Sequence, residues 1–488
     1  MLDPNLVPGA ISEGQCFSTE STVEILGQAI PYRIDAQEFI FTGCEGEPEA
    51  SFFAFSMFRS NVENPASRPV MFVYEGGPGA ASAEMFLGLF GPRVLKTAAS
   101  ATAAPTPPYE MENNPDCLLD ICDIVMVDPA GTGFACLIDE SRAAAYTGVE
   151  ADAAASRKFI SFWLDKYGRW NSPKFVCGKS YGAMRAAVYP YYFLGGAIDP
   201  QLGQFGLALN GTILLCDANV ADMSDRHNPR LTAQDQPAEL NLIATFAAIN
   251  HYHHPEGKPE LRKFIDDANS FAYGAYAHAL LMGSALPQDE ARSTAAKLSS
   301  FTGLPAEALL ASGLRLNMRT FTSLLMAGDG KVVSTYDGRC LRESIDMPQQ
   351  MYDSSSDDPM LLSLWTAQVT LMHEFFRSEL HMDWAREYIV QNYKVGWNWD
   401  FSFTNGGCAN DRLAVAANRN PGMKIFIGKG IYDCVTPIGD GRYTISHYSL
   451  PRERITYREY ESGHAIWLGA RAELAADLRA FIIDAAGR

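Results

Sequence analysis

The stretch that decides the fold is "KFVCGKSYGA", residues 174–183. It joins a short apolar run to the pattern Gly-x-Ser-x-Gly, with Ser180 at its centre, and the helix-forming stretch "GAMRAAVYPYYFL" (182–194) follows. A serine on a tight strand-to-helix turn exposes its hydroxyl and points the next backbone amide at the substrate oxygen. The pattern alone is weakly specific, but its position between a predicted strand and a predicted helix favours a nucleophilic serine.

The sequence on either side of this motif predicts a mostly parallel sheet. Residues 20–60 alternate in period two and predict antiparallel strands. Short apolar runs that end in Gly-rich or polar turns follow at 69–79, 122–134, 174–182, 211–219, 423–433 and 455–464. An amphipathic stretch at 150–167 is long enough for a crossover helix, and this alternation is typical of a parallel sheet covered on both faces.

A long helical interval interrupts the predicted sheet. Residues 217–400 are rich in helical periodicity and poor in strand runs. We therefore predict three parts: residues 1–216 as the N-terminal part of the core, 217–400 as a helical cap insertion over the strand ends, and 401–488 as the C-terminal part of the core. Loops are predicted at 97–115, which is rich in Pro and Ala, and at 352–359, which is polar and acidic.

The partners that a nucleophilic serine needs follow later strands. Asp433 in "GKGIYDCVTP" and His464 in "ESGHAIW" come directly after the last two predicted strands. A serine needs a base, the base needs an orienting acid, and the chain order Ser, Asp, His is that of the α/β-hydrolases. The prediction is therefore an α/β-hydrolase fold, with a mostly parallel central sheet, a helical cap insertion and a catalytic triad.

A glycine-rich turn could hold the substrate oxygen. In "EGGPG" (75–79), Gly76 and Gly77 allow a close backbone approach after a strand. Backbone amides at such a turn can stabilise the oxyanion of acyl transfer, although a plain turn is equally compatible with these residues.

Five motifs together resemble a known family. The motifs "EGGPGAAS", "VDPAGTGF", "GKSYGA", "GIYDCVTP" and "SGHAIW" occur in the order and rough spacing of the serine carboxypeptidases, especially their bacterial members, over nearly the whole chain. The resemblance implies that Ser180 is the nucleophile, His464 the general base and acid, and Asp433 its orienter. It also implies that the amides of Gly77 and Tyr181 form the oxyanion hole.

The chain departs from the family at two positions near the nucleophile. The family usually has Asn before the two glycines and Glu before the serine, and both side chains bind the free carboxylate of the substrate, whereas Glu75 and Lys179 stand there here. The resemblance places Glu75, Gly76 and Lys179 at the substrate. Either Lys179 binds a substrate carboxylate as a point charge, or Lys179 and Glu75 pair with each other. Both possibilities remove the usual proton sharing between carboxyl groups, so we predict that the protein is not an ordinary acid carboxypeptidase.

The predicted function is cleavage of an amide, peptide or ester bond through an acyl-enzyme. Two alternatives remain open at this point: an acyltransferase or cyclase that passes the acyl group to an amine or alcohol, and a non-catalytic binding protein with the same fold. The substrate is a small molecule or a peptide, and no cofactor and no metal are predicted. The histidines of "HYHHPE" (251–256) lack matched ligands at metal-binding spacing and are expected in a solvated loop.

Composition limits the partners. The 488 residues carry a formal net charge of −18, which argues against nucleic-acid and anionic-membrane partners. The ten cysteines are scattered and the first residues lack a secretory signal pattern, so we expect a cytoplasmic protein. The family resemblance allows a monomer or a homodimer. Lys429 and Asp440 are expected at the surface, and Cys434 in a packing role.

Overall fold

The computed structural model describes residues 10–43, 45–96, 106–195, 206–217, 236–345, 358–404 and 406–487. The predicted loop at 97–115 lies partly outside these ranges, and residues 111–113 of it form a short strand. The predicted loop at 352–359 lies almost wholly outside the described residues.

The described residues form thirteen strands. In chain order they are β1 (Ile11–Ile25), β2 (Gln28–Thr42), β3 (Pro48–Arg59), β4 (Val70–Tyr74), β5 (Arg93–Leu95), β6 (Met111–Asn113), β7 (Asp123–Asp128), β8 (Lys174–Lys179), β9 (Gly211–Leu215), β10 (Lys331–Val333), β11 (Leu341–Glu343), β12 (Lys424–Gly430) and β13 (Ile455–Tyr460).

Helices connect and cover these strands. In chain order they are α1 (Ala83–Met85), α2 (Val149–Lys166), α3 (Tyr181–Leu194), α4 (Gln236–His253), α5 (Leu261–Phe271), α6 (Ala277–Met282), α7 (Gln288–Thr302), α8 (Ala306–Ala311), α9 (Met318–Leu324), α10 (Pro359–Ser378), α11 (Tyr393–Trp397), α12 (Ala409–Arg419), α13 (Ile438–His447) and α14 (Trp467–Ala485).

Nine strands form one sheet, in the order β1-β2-β3-β7-β4-β8-β9-β12-β13. The pairs β1–β2, β2–β3 and β3–β7 are antiparallel, and every pair from β7–β4 to β12–β13 is parallel. Strands β9 and β12 pair directly, although the whole helical insertion separates them in sequence. The predicted mostly parallel sheet and the crossover helix at 150–167 are confirmed.

The central strands are apolar because the sheet is covered on both sides. In β4, whose sequence is VMFVY, every residue is buried. Val70, Phe72 and Tyr74 pack in one hydrophobic core, and Met71 and Val73 pack in the core on the other face. Burial of each such side chain contributes about 1.5–3 kcal/mol, so a run without polar alternation fixes β4 at the centre of the sheet.

The helical insertion contributes to two cores. Helices α4 to α9 share a core with residues that follow β12, including Ile431 and Ile438. Helix α10 packs on the sheet instead, where Phe375 and Phe376 contact Phe86 and Phe55 at centroid distances of 5.0 Å and 5.8 Å. The boundaries given above for the three parts of the chain remain a prediction.

Two residues expected at the surface are fully buried. Lys429 lies in β12, a strand covered on both faces, and its Nζ is 2.8 Å from Asp217 Oδ1. Asp440 lies in α13, which packs against α4, and its carboxylate accepts a hydrogen bond of 2.9 Å from Asn241 Nδ2. The expectation was wrong because each side chain has a polar partner that is distant in sequence.

Two of the three histidines at 251–254 do not lie in a loop, whereas His254 follows the end of α4 and is exposed. Residues 251–253 form the last turn of α4. His251 Nε2 contacts the carbonyl of Pro259 at 2.8 Å and His253 Nε2 the carbonyl of Gly338 at 2.7 Å. The rings of His251 and His253 therefore have different backbone partners, and the loop expectation was wrong for these two residues.

Candidate active site

Ser180 occupies the turn between β8 and α3 with an unusual backbone conformation. Its φ is 57° and its ψ is −123°, in a region that residues with a side chain rarely adopt. Such strain persists only where the surrounding structure imposes it, and it is concentrated at functional sites. The turn has the strand–serine–helix geometry that the sequence motif predicts.

The two glycines of the motif are required by close backbone contacts. A Cβ added to Gly178 would lie 1.8 Å from the carbonyl oxygen of Gly182. A Cβ added to Gly182 would lie 2.3 Å from the carbonyl oxygen of Tyr74. The helix that follows Ser180 therefore packs directly on the backbone of β8 and on the end of β4.

Asp433 and His464 are joined by a hydrogen bond. His464 Nδ1 lies 2.7 Å from Asp433 Oδ2, and both residues are buried. The other carboxylate oxygen, Oδ1, accepts hydrogen bonds from the amides of Val435, at 2.8 Å, and Thr436, at 3.0 Å. The hydroxyl of Thr436 also donates to Oδ2. These bonds fix the carboxylate and direct Nδ1 towards it, which leaves Nε2 for other partners.

The environment keeps Asp433 ionised. Burial alone would raise its pKa, but the charge and hydrogen bond of His464 and the hydrogen bonds from Thr436 outweigh burial, so the pKa of Asp433 lies below its ordinary value. The imidazole also packs edge-to-face on the ring of Tyr336, at a centroid distance of 5.3 Å, and the amide of His464 donates to the carbonyl of Tyr336. Tyr336, a residue of the helical insertion, thus positions the imidazole ring of His464.

Ser180 and His464 line one cleft. Between these two described residues the structure has no hydrogen bond, and bonds from a nucleophile to its base are often long before substrate binds. Ser180 follows β8, Asp433 follows β12 and His464 follows β13, so all three lie at the carboxyl end of the parallel sheet. Ligands bind at this edge in open α/β sheets.

The glycine-rich turn after β4 lies against Ser180. A Cβ on Gly76 would be 2.7 Å from Ser180 Cβ and 3.1 Å from the amide nitrogen of Tyr181. Gly77 has a φ of 101°, which favours glycine. Buried Arg185 donates to the carbonyl of Glu75 at 2.7 Å and pairs with Asp152 at 2.9 Å, so helices α2 and α3 hold the start of this turn.

Lys179 lies between two carboxylates, only one of which the sequence suggested. Its Nζ is 3.3 Å from Glu75 Oε1 and 2.5 Å from Glu84 Oε1. The ammonium also lies 4.9 Å from the centre of the Trp467 ring. We call Glu75, Glu84 and Lys179 the acidic cluster. Glu84 was missed because it lies in α1, nine residues after Glu75, with no motif to mark it.

Glu75 is nearly fully enclosed. It is 3% exposed; its Oε1 accepts a hydrogen bond of 3.0 Å from the amide of Gly76, and its Oε2 has no hydrogen-bond partner within the described structure. Burial raises the pKa of Glu75 to about 7, against the lowering effect of Lys179. Burial would lower the pKa of Lys179, but Glu75 and Glu84 outweigh it and raise that pKa. Lys179 is therefore a permanent cation held by the two glutamates.

The cleft has a volume of about 450 Å³, and several aromatic side chains line it. The polar residues that line it include Ser180, His464 and the acidic cluster. Trp365, Tyr393, Trp397 and Phe401 contribute to its walls, and Trp397 is 79% exposed. Sequence reasoning did not identify these aromatic residues, because they lie in the insertion and just after it, where no strand end marks them.

One group of potential metal ligands lies within the described residues, and it contains two triad candidates. Ligand atoms of Cys216, Asp433 and His464 all lie within 4.8 Å of one another. Asp433 Oδ2 and His464 Nδ1 bind each other, and burial raises the pKa of the Cys216 thiol, an effect that nearby Asp433 increases. All nine described cysteines are free, and Cys434 is fully buried, as its predicted packing role requires.

Comparisons with known proteins agree with this geometry. The family described as "Serine carboxypeptidase" matches residues 41–188, a range that includes the Gly76–Gly77 turn and the Ser180 elbow. The prohormone-processing carboxypeptidase Kex1 of Saccharomyces cerevisiae superimposes with a TM-score of 0.56 at 14% identity, covering 99% of this chain and 92% of that one.

More distant structural similarities have lower scores. Esterase E22 has a TM-score of 0.37 at 10% identity and covers 97% of this chain and 100% of its own. The juvenile hormone epoxide hydrolase of the silkworm Bombyx mori has a TM-score of 0.34 at 12% identity and covers 92% of this chain and 79% of its own. A search of curated proteins found no match.

The fold is that of an α/β-hydrolase. Residues 41–188 match the serine carboxypeptidase family, and this match together with the fold supports a hydrolase. No helix within the described ranges has both the length and the apolar character that a membrane crossing requires.

Proposed function

We propose that this protein is a serine hydrolase that cleaves an amide or ester bond through an acyl-enzyme on Ser180. The observation that carries the proposal is the meeting of three features in one cleft: the strained turn at Ser180, the hydrogen-bonded pair of Asp433 and His464, and the glycine turn at Gly76. A nucleophile, an oriented base and oxyanion donors are the minimum for acyl transfer.

The reaction has two halves. In the first, Ser180 Oγ attacks the substrate carbonyl carbon and its proton passes to His464 Nε2, while the amides of Gly77 and Tyr181 stabilise the oxyanion. The carbon–nitrogen or carbon–oxygen bond then breaks, and His464 gives the proton to the leaving amine or alcohol. In the second half, water attacks the acyl-enzyme while His464 takes its proton. The bond to Ser180 Oγ then breaks and His464 returns the proton to Oγ, which releases the acid and restores free Ser180 and neutral His464.

Asp433 has a supporting role in both halves. Its carboxylate, held by two backbone amides, keeps Nδ1 protonated and stabilises the imidazolium that forms. The low pKa of Asp433 supports this role, because the carboxylate stays charged at neutral pH.

Peptides with a free C-terminal carboxylate are expected to be poor substrates. A substrate carboxylate beside Lys179 would be the third carboxylate around one ammonium, since Glu75 and Glu84 already pair with it. Like charges in an enclosed site are strongly unfavourable. The proposed activity is therefore hydrolysis by the serine carboxypeptidase machinery without ordinary carboxypeptidase specificity.

A fluorophosphonate probe and an activated ester test the mechanism. The probe should label wild-type protein but not Ser180→Ala, and the variant should lose roughly 10⁴-fold or more in ester turnover. Asp433→Asn should also lose activity while its far-ultraviolet circular dichroism stays that of the wild type.

Ser300→Ala is the matched control, because Ser300 is exposed on α7 and contacts only the helix backbone. It should keep full labelling and full turnover. Labelling of Ser180→Ala at the wild-type rate would show that another residue is the nucleophile.

A further inference from the structure

We propose that the acidic cluster binds a protonated amine, so that the preferred amide or ester substrate carries a primary ammonium group close to its scissile bond. This substrate class rests on the function proposed above, because the cluster lies beside the proposed nucleophile. Four observations support it: an unpartnered oxygen, a charge imbalance, the occupied state of Lys179, and the aromatic walls of the cleft.

The unpartnered oxygen is Glu75 Oε2. The side chain of Glu75 lines the cleft and is 3% exposed, yet Oε2 has no hydrogen-bond donor within the described structure. A buried carboxylate oxygen without a partner is costly, and a donor that fills the position recovers that cost. An ammonium group supplies three donors and no acceptor.

The charges of the cluster do not balance. Two carboxylates, Glu75 and Glu84, face one ammonium, Lys179. Among the described residues that line the cleft there is no other lysine or arginine. The guanidinium of Arg185 is paired with Asp152 and donates a hydrogen bond to the backbone carbonyl of Glu75. A bound cation would complete the pairing of two negative and two positive charges.

Lys179 is not available for an anionic ligand. Its ammonium contacts Glu84 at 2.5 Å and Glu75 at 3.3 Å, and the ring of Trp467 covers it at 4.9 Å. An incoming carboxylate would have to displace one of these glutamates and leave it buried without a partner, which is strongly unfavourable. The cluster therefore selects against anions and in favour of cations.

The aromatic walls suit the remainder of such a substrate. Trp365, Tyr393, Trp397 and Phe401 present rings to the cleft. Aromatic faces attract cations and also bury apolar groups. A substrate with an ammonium group on an apolar skeleton would bind the acidic cluster through its charge and the aromatic side chains through its apolar part.

Protection of Ser180 from labelling tests the inference without knowledge of the natural substrate. Wild-type protein is treated with a fluorophosphonate at pH 8, above the pKa of about 7 that burial gives Glu75. Three probes of similar size compete with the label: n-butylammonium, butyramide and butyrate. We expect n-butylammonium to protect at a concentration at least tenfold lower than the other two, because hydrogen bonds between charged groups are stronger than those between neutral groups.

Glu75→Gln should remove this preference. The amide preserves the size of the side chain but not its charge, so the protecting concentration of n-butylammonium should rise about 10–100-fold while that of butyramide changes little. Glu307→Gln, at an exposed position on α8, is the control and should keep the wild-type order. If Glu75→Gln does not fold, the order of the protecting concentrations of the three probes on wild-type protein still tests the inference.

The outcomes separate this inference from the proposed function. Equal or better protection by butyrate would overturn the ammonium subsite and leave the serine mechanism intact. An unchanged preference in a folded Glu75→Gln variant would do the same. Absence of any labelling at Ser180 would instead contradict the proposed function.

Discussion

At the scale of the residue, Glu84 changes the interpretation of Glu75 and Lys179, the two positions that differ from the residues usual in serine carboxypeptidases. With Glu75 alone, Lys179 would form a simple pair that two substitutions could convert to the arrangement usual in the family. The structure adds a second carboxylate at 2.5 Å from the same ammonium. The site is therefore a three-residue unit, and the effects of substitutions within it will not add.

Restoring carboxypeptidase specificity should require three substitutions. The double variant Glu75→Asn/Lys179→Glu places a carboxyl group beside Glu84, where two carboxylates repel each other and the substrate carboxylate. Adding Glu84→Gln removes that repulsion. We expect the triple variant to hydrolyse N-blocked dipeptides with a free C-terminus at acidic pH at least tenfold faster than the double variant, measured as kcat/KM.

Glu84→Gln alone is the matched control for that comparison. It should not create activity on these dipeptides, because Glu75 and Lys179 remain paired. Equal rates for the double and triple variants would show that Glu84 does not influence the subsite.

Sequence patterns identified the residues that follow strand ends and missed those that do not. Ser180, Asp433 and His464 were found because each comes directly after an apolar run. Glu84 lies in a helix, and its contact with Lys179 depends on the path of the chain from residue 76 to residue 83, which no periodicity encodes. The same limit applies to Lys429, whose carboxylate partner is 2.8 Å away in space but more than two hundred residues away in sequence.

At the scale of the element, direct backbone–backbone contacts at Gly178 and Gly182 hold the turn between β8 and α3. Helix α3 begins directly after Ser180 and crosses the end of β4, so Gly182 lies against the carbonyl oxygens of Tyr74 and Glu75. Side chains at the two glycines would push the helix away from the sheet. The geometry at Ser180 is therefore a property of how β4, β8 and α3 pack.

Substitution of either motif glycine by alanine should destabilise the protein. In Gly178→Ala the new Cβ would meet the carbonyl oxygen of Gly182 at 1.8 Å, and in Gly182→Ala that of Tyr74 at 2.3 Å. Neither contact can be relieved by rotating a side chain. We expect each variant to lose about 3 kcal/mol of unfolding free energy, measured by urea denaturation.

The control is Gly328→Ala. A Cβ at Gly328 would meet nothing within 4 Å, so its unfolding free energy should stay within about 0.5 kcal/mol of wild type. A Gly178→Ala variant that unfolds at the wild-type urea concentration would show that the turn can move, and would weaken the structural basis for the proposed nucleophile.

The elements of the sheet were more predictable than those of the insertion. Buried strands such as β4 and β12 have short apolar runs that end at glycines, and the sequence located them within a few residues. Helix α10 has a similar apolar character to helix α4, yet α10 packs on the sheet while α4 to α9 form a separate core. Helical periodicity predicts an apolar face, but it does not predict which surface that face will meet.

At the scale of the whole molecule, buried carboxyl groups couple proton binding to folding. Burial raises the pKa of Glu75 to about 7 and that of Asp128 to about 6, from ordinary values of 4.5 and 3.8. A group whose folded pKa is raised binds protons more tightly in the folded state. Its contribution to stability is therefore complete below its ordinary pKa and is lost as pH rises through the folded pKa.

Stability should consequently fall between about pH 4.5 and pH 7. A pKa difference of one unit between the folded and unfolded states corresponds to about 1.4 kcal/mol of unfolding free energy. Glu75 therefore accounts for a loss of about 3 kcal/mol between pH 4.5 and pH 7. Asp128 adds a loss of similar size at slightly lower pH. Urea denaturation at several pH values measures the decline. Glu75→Gln and Asp128→Asn should each flatten it, whereas exposed Glu307→Gln should not. A wild-type stability that stays level or rises from pH 4.5 to pH 7 would contradict the raised pKa values of these two carboxyl groups.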